Sequence, residues 1–228
     1  MATQQHKHMK KVFVISALIT FLMAFTLPQQ KQKIVFFGDS ITQAGVKPGG
    51  YITVLGDLLK QKNIQDELIG AGIGGNKVYD LYLRMEDDVL AKNPTTVVIW
   101  VGVNDVWHKK TSGTGTDANK FEGFYNALIK KLQAKNIKVL ICTPAAIGEK
   151  TDYTNELDGD LNKYAAMIRE IAKKNNVALI DLRKAFLDYN LANNPENKDR
   201  NILTTDGVHL NDKGNQLVAE QMLKALYK

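Results

Sequence analysis

Five short β-rich runs divide the chain, at residues 33–37, 67–69, 96–101, 138–143 and 177–182. They are continuously apolar rather than alternating, the pattern of strands whose sheet is covered on both faces. Between them lie longer stretches with helical spacing, such as Val78, Leu81, Tyr82, Met85 and Val89, then Phe121, Phe124, Leu128, Ile129 and Leu132. Strands that alternate with helices imply βαβ units and therefore a parallel sheet. The expectation is one α/β domain over residues 32–228, a three-layer α/β/α sandwich on a central five-stranded parallel sheet, closed by a helix at 212–227. A chain of 228 residues, 44% hydrophobic and 24% charged, suits one such domain and leaves little room for two.

The first residues read differently. HKHMKK precedes VFVISALITFLMAFTL, a basic stretch ahead of an apolar run at 12–27. That is the pattern of a secretory signal peptide over residues 1–27 or, if uncleaved, of an N-terminal anchor. The run falls short of the roughly 20 apolar residues that a membrane span wants. Ala24 and Thr26 would suit a cut before Leu27, and Met9 makes a tidier start than Met1. The expected setting is bacterial, periplasmic or extracellular, with a membrane involved only through the leader. Cys142, the one cysteine, rules out an internal disulfide. It lies in the strand-like KVLICTP, where a small buried hydrophobe is expected, far from any lipid-anchor position. The net charge of +6 would suit an anionic partner, but half of the excess is Lys7, Lys10 and Lys11 in a leader without acids. A nucleic-acid partner is not expected. The sequence carries no signal for an oligomeric state.

Open parallel sheets bind ligands at the carboxyl ends of their strands. The loops to read are 38–50, 70–76, 102–117 and 144–156, joined by 193–211. In KIVFFGDSIT, Ser40 follows an acid and opens a helix, so it reads as a helix cap as readily as a nucleophile. GAGIGG spaces Gly70, Gly72 and Gly75 as G-x-G-x-x-G, but it follows the second strand and has no acid at the end of the next strand about 20 residues on. These glycines read instead as a loop whose backbone N–H groups approach something closely. In GVNDVW, Asn104 and Asp105 are either turn formers or, for Asn104, an amide donor to an oxygen that becomes negative. In TTDGVHLNDKG, Asp206 stands three residues before His209. A turn can bring the carboxylate to one ring nitrogen and leave the other free to take a proton, although an Asp-Gly turn before the last helix has the same sequence. His6 and His8 lie in the leader, so His108 and His209 are the remaining candidate bases; Asp181, closing LIDL, competes with Asp206. All these groups fall on one edge of the expected sheet, where a hydroxyl, an imidazole with its carboxylate and oxyanion donors complete an acyl-transfer site.

In four ordered blocks the sequence resembles the SGNH hydrolases, the GDSL esterase/acylhydrolase superfamily. The blocks are Gly38-Asp39-Ser40, Gly75, Gly102-Val103-Asn104-Asp105 and Asp206-Gly207-Val208-His209, and the likeness covers essentially the whole chain after the leader. The G-x-S-x-G elbow of α/β-hydrolases is absent. The resemblance implies a flavodoxin-like fold and a serine esterase that needs no metal or cofactor. It further implies Ser40 as nucleophile, His209 as general base and Asp206 as its orienting acid, with an oxyanion hole made by the Ser40 and Gly75 backbone N–H groups and the Asn104 amide. The loops at the mouth are polar and glycine-rich, and no apolar segment is left over for a lid. The favoured substrates are therefore short-chain esters, acetyl foremost, on small molecules or carbohydrates, with Trp107 stacking on a sugar ring or else plugging its loop onto the sheet. The alternatives are a lysophospholipase or thioesterase of the same fold and a non-catalytic carbohydrate-binding protein.

Overall fold

The apolar runs do form a single parallel sheet. The computed structural model describes residues 31–227, so the signal-peptide or anchor reading of residues 1–27 lies outside the described residues. The strands are β1 (Lys33–Gly38), β2 (Glu67–Gly72), β3 (Thr96–Trp100), β4 (Lys138–Cys142) and β5 (Ala178–Ile180), in the order β2-β1-β3-β4-β5. Every pairing is parallel. This order is the flavodoxin-like one, whose ligand crevice opens at the switch point between β1 and β3.

Side chains along each strand point alternately to opposite faces, and each face meets its own set of helices. On one side Ile34, Phe36, Val98, Trp100, Leu140 and Cys142 pack against α2 (Tyr51–Gln61), α7 (Leu182–Asn193) and α8 (Asp212–Leu226). On the other, Val35, Phe37, Val97, Ile99, Val139 and Ile141 meet α3 (Val78–Asp88), α5 (Ala118–Gln133) and α6 (Asp158–Lys174). Most of the expected periodicity faces inward: Val78, Leu81 and Met85 of α3 are fully buried, as are Phe121, Leu128, Ile129 and Leu132 of α5, while Tyr82 is exposed and Phe124 only partly buried, the two rings packing on each other between the helices. Each such side chain contributes roughly 1.5–3 kcal/mol of transfer free energy. Cys142 is buried, as its strand-like setting suggests, and burial pushes its thiol well above the usual range. Two short helices complete the order, α1 (Ser40–Gly45) after β1 and α4 (Val103–Thr111) after β3. Among the described residues no helix is long and apolar enough to cross a membrane.

Strand β2 departs from the expectation. It continues past Ile69, so that Gly70 and Gly72 pair with Phe36 and Gly38 instead of lying in a loop. The glycines are there for packing. A Cβ at Gly72 would stand 2.1 Å from the Gln43 nitrogen, and one at Gly70 2.3 Å from Val46 Cγ1. Their absence of side chains lets α1 and the chain leaving it lie directly on the strand. Only Ile73, Gly74 and Gly75 of the GAGIGG run remain in the loop. The final helix also stops at Leu226, one residue short of the expected end, and the Tyr227 hydroxyl donates to Asp66 Oδ2 at 2.5 Å beside the start of β2.

Candidate active site

The first strand ends at a glycine because nothing larger fits: a Cβ on Gly38 would meet Thr42 Oγ1 at 2.3 Å and the Trp100 carbonyl at 2.5 Å. The helix that follows is capped by Asp39, whose carboxylate accepts the Ile41 N–H at 3.0 Å. The cap is therefore the acid, and Ser40, the first helical residue, keeps its hydroxyl for another partner. That partner is His209 Nε2, 2.9 Å from Ser40 Oγ across 169 residues of sequence.

The opposite ring nitrogen, Nδ1, lies 2.7 Å from Asp206 Oδ2. Asp206 folds back on its own segment: its Oδ1 accepts the backbone N–H groups of Val208 and His209, at 2.9 and 2.8 Å. Burial raises the cost of its charge, but the His209 ring and these two N–H groups outweigh it and hold the carboxyl below its ordinary range. An ionised Asp206 fixes the proton on Nδ1 and leaves the Nε2 lone pair facing the Ser40 hydroxyl.

The segment is irregular, yet it is firmly held. Gly207 lies at φ +94°, and its carbonyl accepts the Gly148 N–H at 2.9 Å. Buried Glu149 accepts the Ile202 and Leu203 N–H groups at 2.9 and 2.7 Å. Thr204 and Leu210 form an antiparallel bridge around the turn. Asp181, the competing acid, is taken elsewhere: Arg169 reaches both its oxygens at 2.8 and 2.9 Å, and Thr143 donates to it at 3.1 Å.

The glycine loop lies against Ser40: a Cβ on Gly74 would stand 3.9 Å from Ser40 Cβ. Gly75 has φ +76°, and its N–H has no acceptor among the described residues; its neighbour Gly74 donates to Gln43 Oε1 at 3.0 Å. Buried Asn104, near the start of α4, spends one amide hydrogen on the Asn76 carbonyl at 3.1 Å and keeps the other. Burial lifts Asp39 to about 7 and Asp105 to about 6. Asp105 accepts the Val78 N–H at the start of α3, at 3.2 Å.

The Trp107 ring lies 6.4 Å from that of His209 and 5.7 Å from that of His108, centroid to centroid, while part of it packs on the core. His108, the other candidate base, sits over the glycine loop with its Cε1 3.5 Å from where a Gly75 Cβ would be. Burial and the Lys77 charge push its pKa down. Gln43, Asn76, Glu149 and Arg84 take part in holding this site, and the sequence reading did not single them out. Polar residues on loops and helix flanks are common, and only a contact distinguishes these from the rest.

A hydroxyl bonded to an imidazole that is itself bonded to a carboxylate, beside two N–H donors, can activate an oxygen nucleophile and stabilise a tetrahedral oxyanion. Residues 36–217 match the model of the GDSL-like Lipase/Acylhydrolase family. The chain belongs to that family. As a GDSL-like acylhydrolase of the SGNH superfamily it is an ester-hydrolysing serine hydrolase. The GDSL-like chain is 69% identical to the crystal structure of an acetyl xylan esterase, AlAXEase, with a TM-score of 0.84 over 85% of this chain and 99% of that one. It is 27% identical to an acetylxylan esterase of Geobacillus stearothermophilus, over 86% of this chain and 94% of the relative. An uncharacterized lipoprotein of Bacillus subtilis (strain 168), YqeF, is 24% identical over 92% and 96% of the two chains.

Proposed function

We propose that this esterase removes acetyl groups from acetylated carbohydrate through an acyl-enzyme on Ser40. The observation that carries the substrate class is the 69% identity to an acetyl xylan esterase along almost all of that protein's length. The mechanism rests on the 2.9 and 2.7 Å contacts of His209.

In this reading His209 Nε2 takes the Ser40 proton as Oγ attacks the acetyl carbonyl. The carbonyl oxygen becomes an oxyanion held by the Ser40 and Gly75 N–H groups and the second Asn104 amide hydrogen. Collapse of the intermediate breaks the bond to the sugar oxygen, which receives the proton back from His209. Water, deprotonated by the same nitrogen, then releases acetate and frees Ser40. Asp206 holds the ring in its tautomer and stabilises the imidazolium. Trp107, 6.4 Å from the His209 ring, offers an aromatic face on which a sugar ring can stack.

A long acyl chain would need apolar surface to cover it, at about 25 cal/mol per Å², and the apolar runs among the described residues are taken up by the strands and helices of the sandwich. The expected order of kcat/KM is therefore aryl acetate above octanoate above palmitate, with acetate released from acetylated xylo-oligosaccharides. Rates that climb with chain length and no acetate release would move the enzyme to lipid substrates. Export belongs to the same proposal, supported by the basic and apolar stretches of residues 7–27 and by the lipoprotein relative. Fractionation of cells expressing the full chain should find the activity outside the cytoplasm; activity confined to the cytosol would refute it.

A further inference from the structure

Arg84 stands on α3 beside the buried stripe of Val78, Leu81 and Met85, with only 15% of its side chain exposed. Its guanidinium lies over the Phe37 ring, 4.6 Å from the centroid. Four of its five N–H donors are used. Nε donates to Asn76 Oδ1 at 2.7 Å, Nη1 to Asp88 Oδ2 at 2.6 Å, and Nη2 to the carbonyls of Gly38 at 2.7 Å and Ala71 at 3.0 Å. Three of these four acceptors lie on the segments that surround Ser40. Gly38 precedes it by two residues, and Ala71 and Asn76 bracket the loop of Gly74 and Gly75. Asn76 passes the contact on, since its own carbonyl accepts the Asn104 amide at 3.1 Å.

We infer that Arg84 is a positioning residue for the oxyanion hole, fixing Gly75 and Asn104 relative to Ser40 through Asn76 and the carboxyl ends of β1 and β2. This rests on the proposed roles of Gly75 and Asn104. A cation at this depth is costly to desolvate, and an apolar side chain would fill the same space with less penalty. What the guanidinium adds is a planar fork that holds three chain segments at fixed angles, which a lysine cannot reproduce. Donors set for an oxyanion act only while their geometry is kept, and a displacement of about 1 Å at a reacting centre costs on the order of 10²-fold.

The test uses Arg84→Lys, which keeps a cation over Phe37, and Asn76→Ala, which removes only the Nε acceptor and leaves the carbonyl in place. With aryl acetate, each should lower kcat by roughly 10- to 100-fold while KM stays within about threefold. Affinity for butylboronic acid, which forms a tetrahedral adduct with an active serine, should fall in parallel with kcat. A side chain that only stabilised the fold would lower the melting temperature and move neither quantity. Asn104→Ala is the reference, with an expected loss of about 10²- to 10³-fold in kcat. Adding Arg84→Lys to it should cost less than about threefold more, because the two act on one donor set. An unchanged kcat in Asn104→Ala would overturn the oxyanion assignment and the inference with it. A full loss in Asn104→Ala, with unchanged kcat in Arg84→Lys and Asn76→Ala or with effects that simply multiply, would overturn the role of Arg84 alone.

Discussion

Ser40→Ala should abolish ester hydrolysis, lowering kcat on the order of 10⁶-fold and leaving a folded protein. The fold survives because the Ser40 hydroxyl makes a single side-chain contact, to His209. The helix cap that a serine at this position would otherwise provide is supplied by Asp39. Loss of such a partly exposed hydroxyl typically changes stability by no more than about 0.5 kcal/mol. The measurement is aryl acetate turnover beside a thermal melt. Wild-type turnover by a folded Ser40→Ala protein would refute the nucleophile assignment, and so would labelling of that variant by a serine-reactive phosphonate.

His209→Ala should be about as inactive as Ser40→Ala, and the double variant no worse than either. Members of a triad act as a unit, so the first removal forfeits most of what the unit supplies. The two acids separate more finely. Asp206→Asn removes the carboxylate that fixes the Nδ1 proton and should cost about 10⁴-fold in kcat. Asp181→Asn leaves His209 untouched, because that carboxylate is bound to Arg169 and Thr143; its cost should appear as lower stability with kcat near wild type. Reversal of that order in steady-state kinetics would transfer the orienting role to Asp181.

The sheet was legible because its strands are buried on both faces, and continuous apolar runs have few other uses in a chain of this size. The helices were legible for a similar reason: Val78, Leu81 and Met85 repeat at the spacing of one helical face. Strand β2 was harder. Two of its last three residues, Gly70 and Gly72, are glycines, which carry no β-propensity, and their reason for being there is the approach of Val46 and Gln43, which a linear reading cannot see. The residues brought around Ser40 came into view as four short blocks whose order matched a known family, not through any one residue's chemistry. Ser40 alone reads as a cap, and the actual cap is its neighbour. Arg84 and Glu149 stayed hidden because each is a charged residue of an ordinary kind. What sets them apart is the set of backbone groups they reach, Gly38 and Ala71 for one and Ile202 and Leu203 for the other.

The separation of 169 positions between Ser40 and His209 gives the chain a latency during its own synthesis. A domain generally folds as a unit, and one face of this sheet is covered in part by Phe186, Val218 and Met222 of the last two helices. The imidazole belongs to residues 194–211, which are held against Gly148 and Glu149. On the proposed mechanism, a chain still lacking residues 206–209 therefore carries an inert serine, and hydrolytic competence waits for the C-terminal part of the polypeptide.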